Sequence, residues 1–415
     1  MANQFIIDDK VLILYAQDLG NYTDRYIPYR EFIKDISLFN YSDYSAKYGI
    51  AATENKILEL IETQGIRVLI SCPFATDYQL SPYFYRTLRK KVKVVFIFND
   101  DDNYLHSYGK YIAQNADAVI TTDHLAVAEY TRLEIPAILY LHSARTDVLF
   151  PAPAGSKKDI DVCFVGDSTK NDRLEYVEYL RTHGINVSLF GIGSGSGFLP
   201  YSDIGKLFGR SKINLSFTKM SEPNWVNSDE PLLHKIRQNK GKPIEVAFTR
   251  SFCLSEYAPA LSHFFEIGKE IDVFYGKEDL LEKVKFYLSN DKLREEIALN
   301  AYNRAMKEYL DEVYYKKTFT QLNNILSGPA KNTDNRVFLS EPFKSKSVNG
   351  LTFLMFVMLK SFRILPAAQT FFLLFQYGPR AFLTGFSGGV KRSLAYFMSL
   401  LFKGRQSIYA KKAAN

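Results

Sequence analysis

The chain is short of several things that would point to particular protein classes. Among 415 residues there are three cysteines, one tryptophan and six histidines. Cys72, Cys163 and Cys253 each sit in a short apolar run, without the spacing of a disulfide framework or a zinc module, so each reads as a small buried residue. Long hydrophobic runs are missing too. A bilayer-spanning helix needs about 20 apolar residues, whereas the charge-free stretches of the apolar C-terminal region, 347–359 and 364–379, are shorter, and the second is interrupted by Pro366 and Gly378. The opening MANQFIIDDK lacks a basic segment followed by an apolar one, so no secretory signal is expected and a cytoplasmic protein is.

Acidic residues stop at Glu341. Eleven Lys and Arg follow it, which leaves 41 basic against 45 acidic residues in the preceding body. A body of slight negative charge argues against nucleic-acid binding. A tail with only positive charge is suited to an anionic surface. What is plentiful is aromatic: 28 Tyr and 32 Phe exceed what a core requires, so some rings are expected at a surface or interface.

The length suffices for two domains and an appendage. Apolar runs at 11–16, 67–71, 93–98, 117–122 and 137–142 alternate with helical patterns such as 54–65, whose Ile57, Leu58, Leu60 and Ile61 share a face and whose Gly65 suits a C-cap. That alternation predicts an α/β, doubly wound parallel sheet over 1–150. A Pro- and Gly-rich break near 151 precedes a second set of runs at 161–166, 186–191, 212–217, 251–256 and 272–276, then strongly helical sequence to 326. The expectation is two Rossmann-like domains, 1–150 and 151–326, a connector over 327–349 and a basic amphipathic tail over 350–415.

Candidate chemistry lies where strands run into helices. The turn from Gly166 to Arg173 opens a helix, so its amides, with Lys170 or Arg173, suit a phosphate; a tight turn with an N-cap is the competing reading. The glycine-rich 191–197 matches no phosphate-loop pattern and reads as a connection, with Gly191 the residue nearest a ligand. In 240–270 a basic turn enters a short helix: Lys242 is placed to offset a diphosphate and Glu245 to take ribose hydroxyls, with Glu256 following a strand. Three carboxylates at 100–102 follow the run 93–98, at a strand's carboxyl end, where a general base facing a cleft would sit. Asp100 and His106 are the catalytic candidates, against a solvated acidic turn that caps the next helix. His142 and His234 are further cleft candidates.

The segment Lys240-Gly-Lys-Pro-Ile-Glu245, then Ser255-Glu256-Tyr257, then Gly268-Lys269-Glu270, resembles a pattern of the group 1 and CgeB-like glycosyltransferases of the GT-B fold. Val165-Gly166, the Phe150-Pro151 end of the first domain and the helical run after Phe274 fit the same family, over roughly 92–325. The resemblance implies two Rossmann-like domains facing a cleft, a nucleotide-sugar donor in the second, an acceptor in the first, no cofactor and no metal. It also implies roles for individual residues. Glu245 would bind the ribose, Lys242, Lys170 and Arg173 the donor phosphates, and Glu256 with Tyr257 would lie beside the sugar or ribose. Arg237 stands eight residues before Glu245, where retaining members carry a glutamate, so no stereochemical outcome is implied.

The tail suggests interfacial helices on the inner face of the membrane and a glycan or lipid-linked acceptor. Packing on the body, or a homo-oligomer contact through the tail, is the competing reading. A nucleotide-sugar epimerase and a non-catalytic envelope or spore protein are the rival functions.

Overall fold

The computed structural model describes residues 5–16, 26–73, 79–140, 149, 151, 157–195, 197, 199–219, 237–328 and 338–412, with side chains as far as 400. Near-continuous Val, Ile and Leu runs suit strands covered on both faces, and in the strand Ile7–Tyr15 residues Val11 to Leu14 are fully buried. This strand (β1) belongs with Ile33–Asn40 (β2), Val68–Cys72 (β3), Lys93–Phe98 (β4), Ala118–Thr121 (β5) and Ala137–Leu139 (β6) to a parallel sheet of order β2-β1-β3-β4-β5-β6. Ile160–Val165 (β7), Val187–Phe190 (β8), Ser211–Ser216 (β9), Cys253–Glu256 (β10) and Asp272–Phe274 (β11) form a second parallel sheet, β11-β10-β9-β7-β8. The helix Ile50–Gln64 ends as expected, with Gly65 in the left-handed conformation at φ 66°. The edge strand β2 has no counterpart among the expected runs.

The second sheet reverses its winding between β7 and β9. At such a switch point the loops leave in opposite directions and a crevice opens at the carboxyl ends. The residues that follow those two strands, from Gly166 and from Phe217, therefore border the crevice.

Two parts of the chain sit elsewhere than their order suggests. Of the three closing helices, the last, Asp311–Leu326, packs on the first sheet: Tyr315, Phe319 and Leu322 are buried with β-strand residues such as Ile70 and Ile97, and the Phe319 ring lies 4.8 Å from that of Tyr29. The tail docks on the opposite face of the same sheet's domain. Its helix Glu341–Lys360 starts inside the stretch expected as a connector, because Ser340 caps it and Pro342 fits its first turn. Phe343, Leu354, Met358 and Leu374 share a core with Ile57, Phe84 and Leu88, and the Tyr111 hydroxyl donates to Ser340 Oγ at 2.8 Å.

The remaining tail helices, Ile364–Leu374 and Pro379–Lys412, keep an outer face in solvent. Phe362 is 89 % exposed, Phe372 72 %, Leu383 70 % and Leu365 69 %. Among the described residues no helix is long and apolar enough to cross a membrane.

Candidate active site

After β7 the chain turns at Gly166 and reaches the helix Arg173–Thr182 through a loop that hydrogen-bonds to the glycine-rich segment. Ser168 N–H donates to the Ile192 carbonyl at 2.9 Å, and a Cβ on Gly191 would stand 2.6 Å from the Gly166 carbonyl oxygen. Gly191, at φ 100°, is thus required by the close approach of two backbones. Arg173 folds back over this loop: its guanidinium donates to the Asp167 carbonyl at 2.7 Å and lies 5.7 Å from the Phe164 ring centre, while its buried Nε has no hydrogen-bond partner. Burial lowers its proton affinity, with Asp167 and Glu256 opposing. Lys170 is exposed at the loop's rim.

The segment from Arg237 to Glu245 forms the crevice's other wall. Arg237 Nε stands 2.9 Å from Glu256 Oε1, while Glu256 Oε2 accepts the Thr218 and Lys219 amides at 2.8 and 2.9 Å. Glu256, only 4 % exposed, is therefore the anchor of the Arg237 guanidinium and of the chain leaving β9, and both its oxygens are engaged inside the protein. Tyr257 beside it is half-buried, its ring 5.1 Å from that of Tyr275. Lys219 pairs with Asp172 at 2.6 Å. The helix Lys242–Phe248 puts Glu245 in its first turn, where the Tyr201 hydroxyl donates to it at 2.5 Å.

The two lysines of this segment diverge. Lys242 Nζ lies 5.4 Å from the Phe208 ring centre, and its charge acts on the buried thiols of Cys163 and Cys253. Lys240 instead lies within electrostatic range of Asp102 and Asp100 of the first domain. Burial lowers its proton affinity, Asp102 and Asp100 oppose that, and Arg173 and Lys170 add to it. Sequence reasoning chose Lys242 because it starts the helix; Lys240, two residues earlier, is the lysine that shares its surroundings with Lys170 and Arg173.

From the first domain, the acidic turn after β4 reaches this wall. Asp100 Oδ1 accepts from Gln238 Nε2 at 2.6 Å and Asp102 Oδ1 accepts from the same nitrogen at 3.0 Å. Burial first, then the charge of Asp100, pushes the Asp102 carboxyl well above its usual range, with Lys240 opposing. Asp101 points the other way, into the domain, where both oxygens accept from the Tyr130 hydroxyl at 3.0 Å and burial pushes its carboxyl up to about 7. Gly109 leaves room for it, since a Cβ there would lie 2.5 Å from Asp101 Oδ1. His106 is half-buried among Lys110, Glu129, Arg132 and Asp123, and burial lowers its proton affinity. The structure thus sets Asp100 against the second domain and His106 among first-domain charges. A second cross-domain contact joins the rings of His124 and His263 at 5.0 Å. His142 and His234 lie outside the described residues.

Asp100, Lys170, Arg173, Glu256 and the unforeseen Gln238, Lys240 and Arg237 therefore meet at the switch point. Among the described residues no three His, Cys, Asp or Glu side chains are grouped as metal ligands would be. Such an array of cations and helix-start amides opposite carboxylates can hold a polyanion and accept a proton from a neighbouring hydroxyl.

Residues 170–316, which contain most of the second wall, match the family described as glycosyl transferase-like. That stretch is similar to this family, and the chain as a whole has the GT-B fold. Three solved structures show the likeness of fold. Sucrose-phosphate synthase from Thermosynechococcus elongatus has a TM-score of 0.55 at 9 % identity, over 77 % of this chain and 99 % of its own. A glycosyltransferase from Rickettsia africae has 0.53 at 12 %, over 78 % and 100 %. The Anabaena protein HepE, solved with UDP and glucose, has 0.51 at 11 %, over 77 % and 99 %. No curated protein matches the sequence. Both sheets, and the crevice between them, correspond to the two-domain fold that the family resemblance implied.

Proposed function

We propose that the protein is a group 1 glycosyltransferase that moves a sugar from a nucleoside-diphosphate sugar to a glycan or lipid-linked acceptor at the inner face of the cell membrane, in the synthesis of envelope polysaccharide or glycoconjugate. The observation that carries the donor half is the placement of Lys240, Arg173 and Lys170 around one crevice, with Arg237 held there by Glu256. As the glycosidic bond breaks, negative charge grows on the leaving diphosphate, and preset cations and helix-start amides stabilise it without reorganising. Lys240 takes the phosphate role first given to Lys242, whose ammonium rests over Phe208. Glu245, oriented by Tyr201, binds the ribose. The solved neighbour HepE, described with UDP and glucose, supports a nucleotide-sugar of this type.

The acceptor half rests on the acidic turn and the tail. Asp100 serves as the base for the acceptor hydroxyl, at the carboxyl end of β4. The exposed Phe362, Leu365, Phe372 and Leu383, on a segment of eleven basic and no acidic residues past Glu341, suit an anionic bilayer surface. With about 1 kcal/mol gained per Lys or Arg near such a surface, half of these charges suffice for binding once apolar insertion is added.

A screen of nucleotide-sugars by thermal shift tests the donor reading. One nucleotide-sugar should stabilise the protein more than its bare nucleotide, and product analysis should show a new glycosidic bond. An epimerised nucleotide-sugar as the sole product would replace this reading with an isomerase.

A further inference from the structure

Gln238 ties the acidic turn of the first domain to the donor wall of the second. Its side chain is 4 % exposed, and its one amide nitrogen donates to Asp100 Oδ1 at 2.6 Å and to Asp102 Oδ1 at 3.0 Å. A terminal amide supplies two N–H groups from one uncharged atom. It can therefore bridge two carboxylates without neutralising either, as a lysine or arginine would. The residue's backbone is fixed from the donor side. Gln238 N–H donates to the Thr218 carbonyl at 2.8 Å, and Arg237 next to it is paired with Glu256. The group that orients the carboxylates is thus built on the strand ends that border the crevice.

We propose that Gln238 is a positioning residue: it sets the Asp100 carboxylate for proton acceptance only while the two domains are together. The inference rests on the reading of Asp100 as the acceptor-side base. In that step the acceptor oxygen forms the new glycosidic bond as its proton passes to Asp100, and the bond to the donor's diphosphate breaks with its electron pair leaving on the diphosphate. The other charges facing this carboxylate pair are Asp101, Asp123 and Lys240, with Arg173 and Lys170 behind Lys240. A closed cleft thus presents an oriented base, and an open cleft leaves the carboxylates hydrated and turning freely.

The test compares full-length wild type with Gln238→Leu, Gln238→Glu and Gln238→Asn. For Leu and Glu, kcat should fall at least tenfold while donor KM and affinity for the bare nucleoside diphosphate stay within twofold. The acid limb of the kcat profile should move up by about one pH unit in the Leu variant, because hydrogen bonds donated to a carboxylate favour its charged form and are lost. Asn, which keeps the two-proton amide, should retain more activity than Leu. Hydrogen exchange gives a readout that needs no turnover: amides at 99–106 should exchange faster in Leu and Glu, while those of the tail helix do not change. An unmoved acid limb with unchanged exchange at 99–106 overturns the proposal. Should wild type transfer no sugar, the functional reading fails, and exchange alone then decides whether Gln238 holds the turn. Should Leu fail to fold, the contrast between Asn and Glu carries the same comparison.

Discussion

The two domains meet with opposite charge. At the carboxyl edge of the first sheet Asp100 and Asp102 meet Gln238 of the second domain, while Asp101 turns to Tyr130 and Asp123 caps the following helix; burial pushes Asp101, Asp102 and Asp123 up. At the facing edge of the second stand Lys170, Arg173, Lys219, Arg237 and Lys240. Two sheets of the same winding thereby present edges of opposite charge, and the proposed function gives the cationic edge to a leaving diphosphate and the acidic edge to an incoming hydroxyl. The difference lies in loop residues a few positions past the strands, because strand ends are fixed by the sheet and the chemistry is free to vary beyond them.

Removing Arg237 should disturb this arrangement most. Arg237→Ala leaves Glu256, 4 % exposed, without its cation. Breaking such a pair from one side costs about 3 kcal/mol, to be read from urea unfolding, and nucleoside-diphosphate affinity should fall with it. A variant as stable as wild type would show that Glu256 is satisfied by the Thr218 and Lys219 amides alone.

The acidic edge predicts a pH signature that the cationic edge does not share. Asp101 and, under the tail, Glu54 are each raised to about 7 by burial, against about 4 in the unfolded chain. The folded form then holds protons that the unfolded form has released between those values. This stabilisation is complete at pH 4 and lost as pH rises through 7. The melting temperature should therefore decline from pH 5 to pH 8 on account of these groups, and Asp101→Asn with Glu54→Gln should flatten the decline. An unchanged slope in the double variant would count against both assignments.

Smaller effects should separate the ribose site from the phosphate site. Glu245→Ala should weaken nucleotide binding by about tenfold, the loss of a charged hydrogen-bond acceptor. Tyr201→Phe, which removes the donor that orients Glu245, should weaken it less. Calorimetry that finds equal affinity in Glu245→Ala would remove Glu245 from the site. In the tail, Leu365→Glu with Phe372→Glu alters side chains that are 69 % and 72 % exposed. Stability should change by no more than about 0.5 kcal/mol, while sedimentation with anionic vesicles is lost; retention on vesicles would contradict the membrane reading.

Most strands were legible because parallel strands buried on both faces are short runs of β-branched residues, and the expected 93–98 coincides with β4. The strand β2 was not. Its apolar Ile33, Ile36, Leu38 and Phe39 show no alternation, and as an edge strand paired only with β1 it is less buried. The return of Asp311–Leu326 to the first sheet was hidden for another reason: an amphipathic face shows that it will be buried, without showing against which sheet. In the candidate site, Lys170, Arg173 and Asp100 could be read from strand-to-helix spacing. Gln238 and Lys240 could not, since a polar residue before a helix carries no sign of the domain it will face. The apparent anomaly at Arg237 has a physical sense that only the structure supplies, as the partner of Glu256.

Calorimetric titration of the full chain with the nucleoside diphosphate of its donor tests the division of labour most directly. Lys240→Ala and Arg173→Ala should each weaken binding at least tenfold, and Asp100→Asn should leave it unchanged or tighter, because it frees Lys240 from a competing carboxylate. Loss of binding in Asp100→Asn with wild-type affinity in Lys240→Ala would contradict the account.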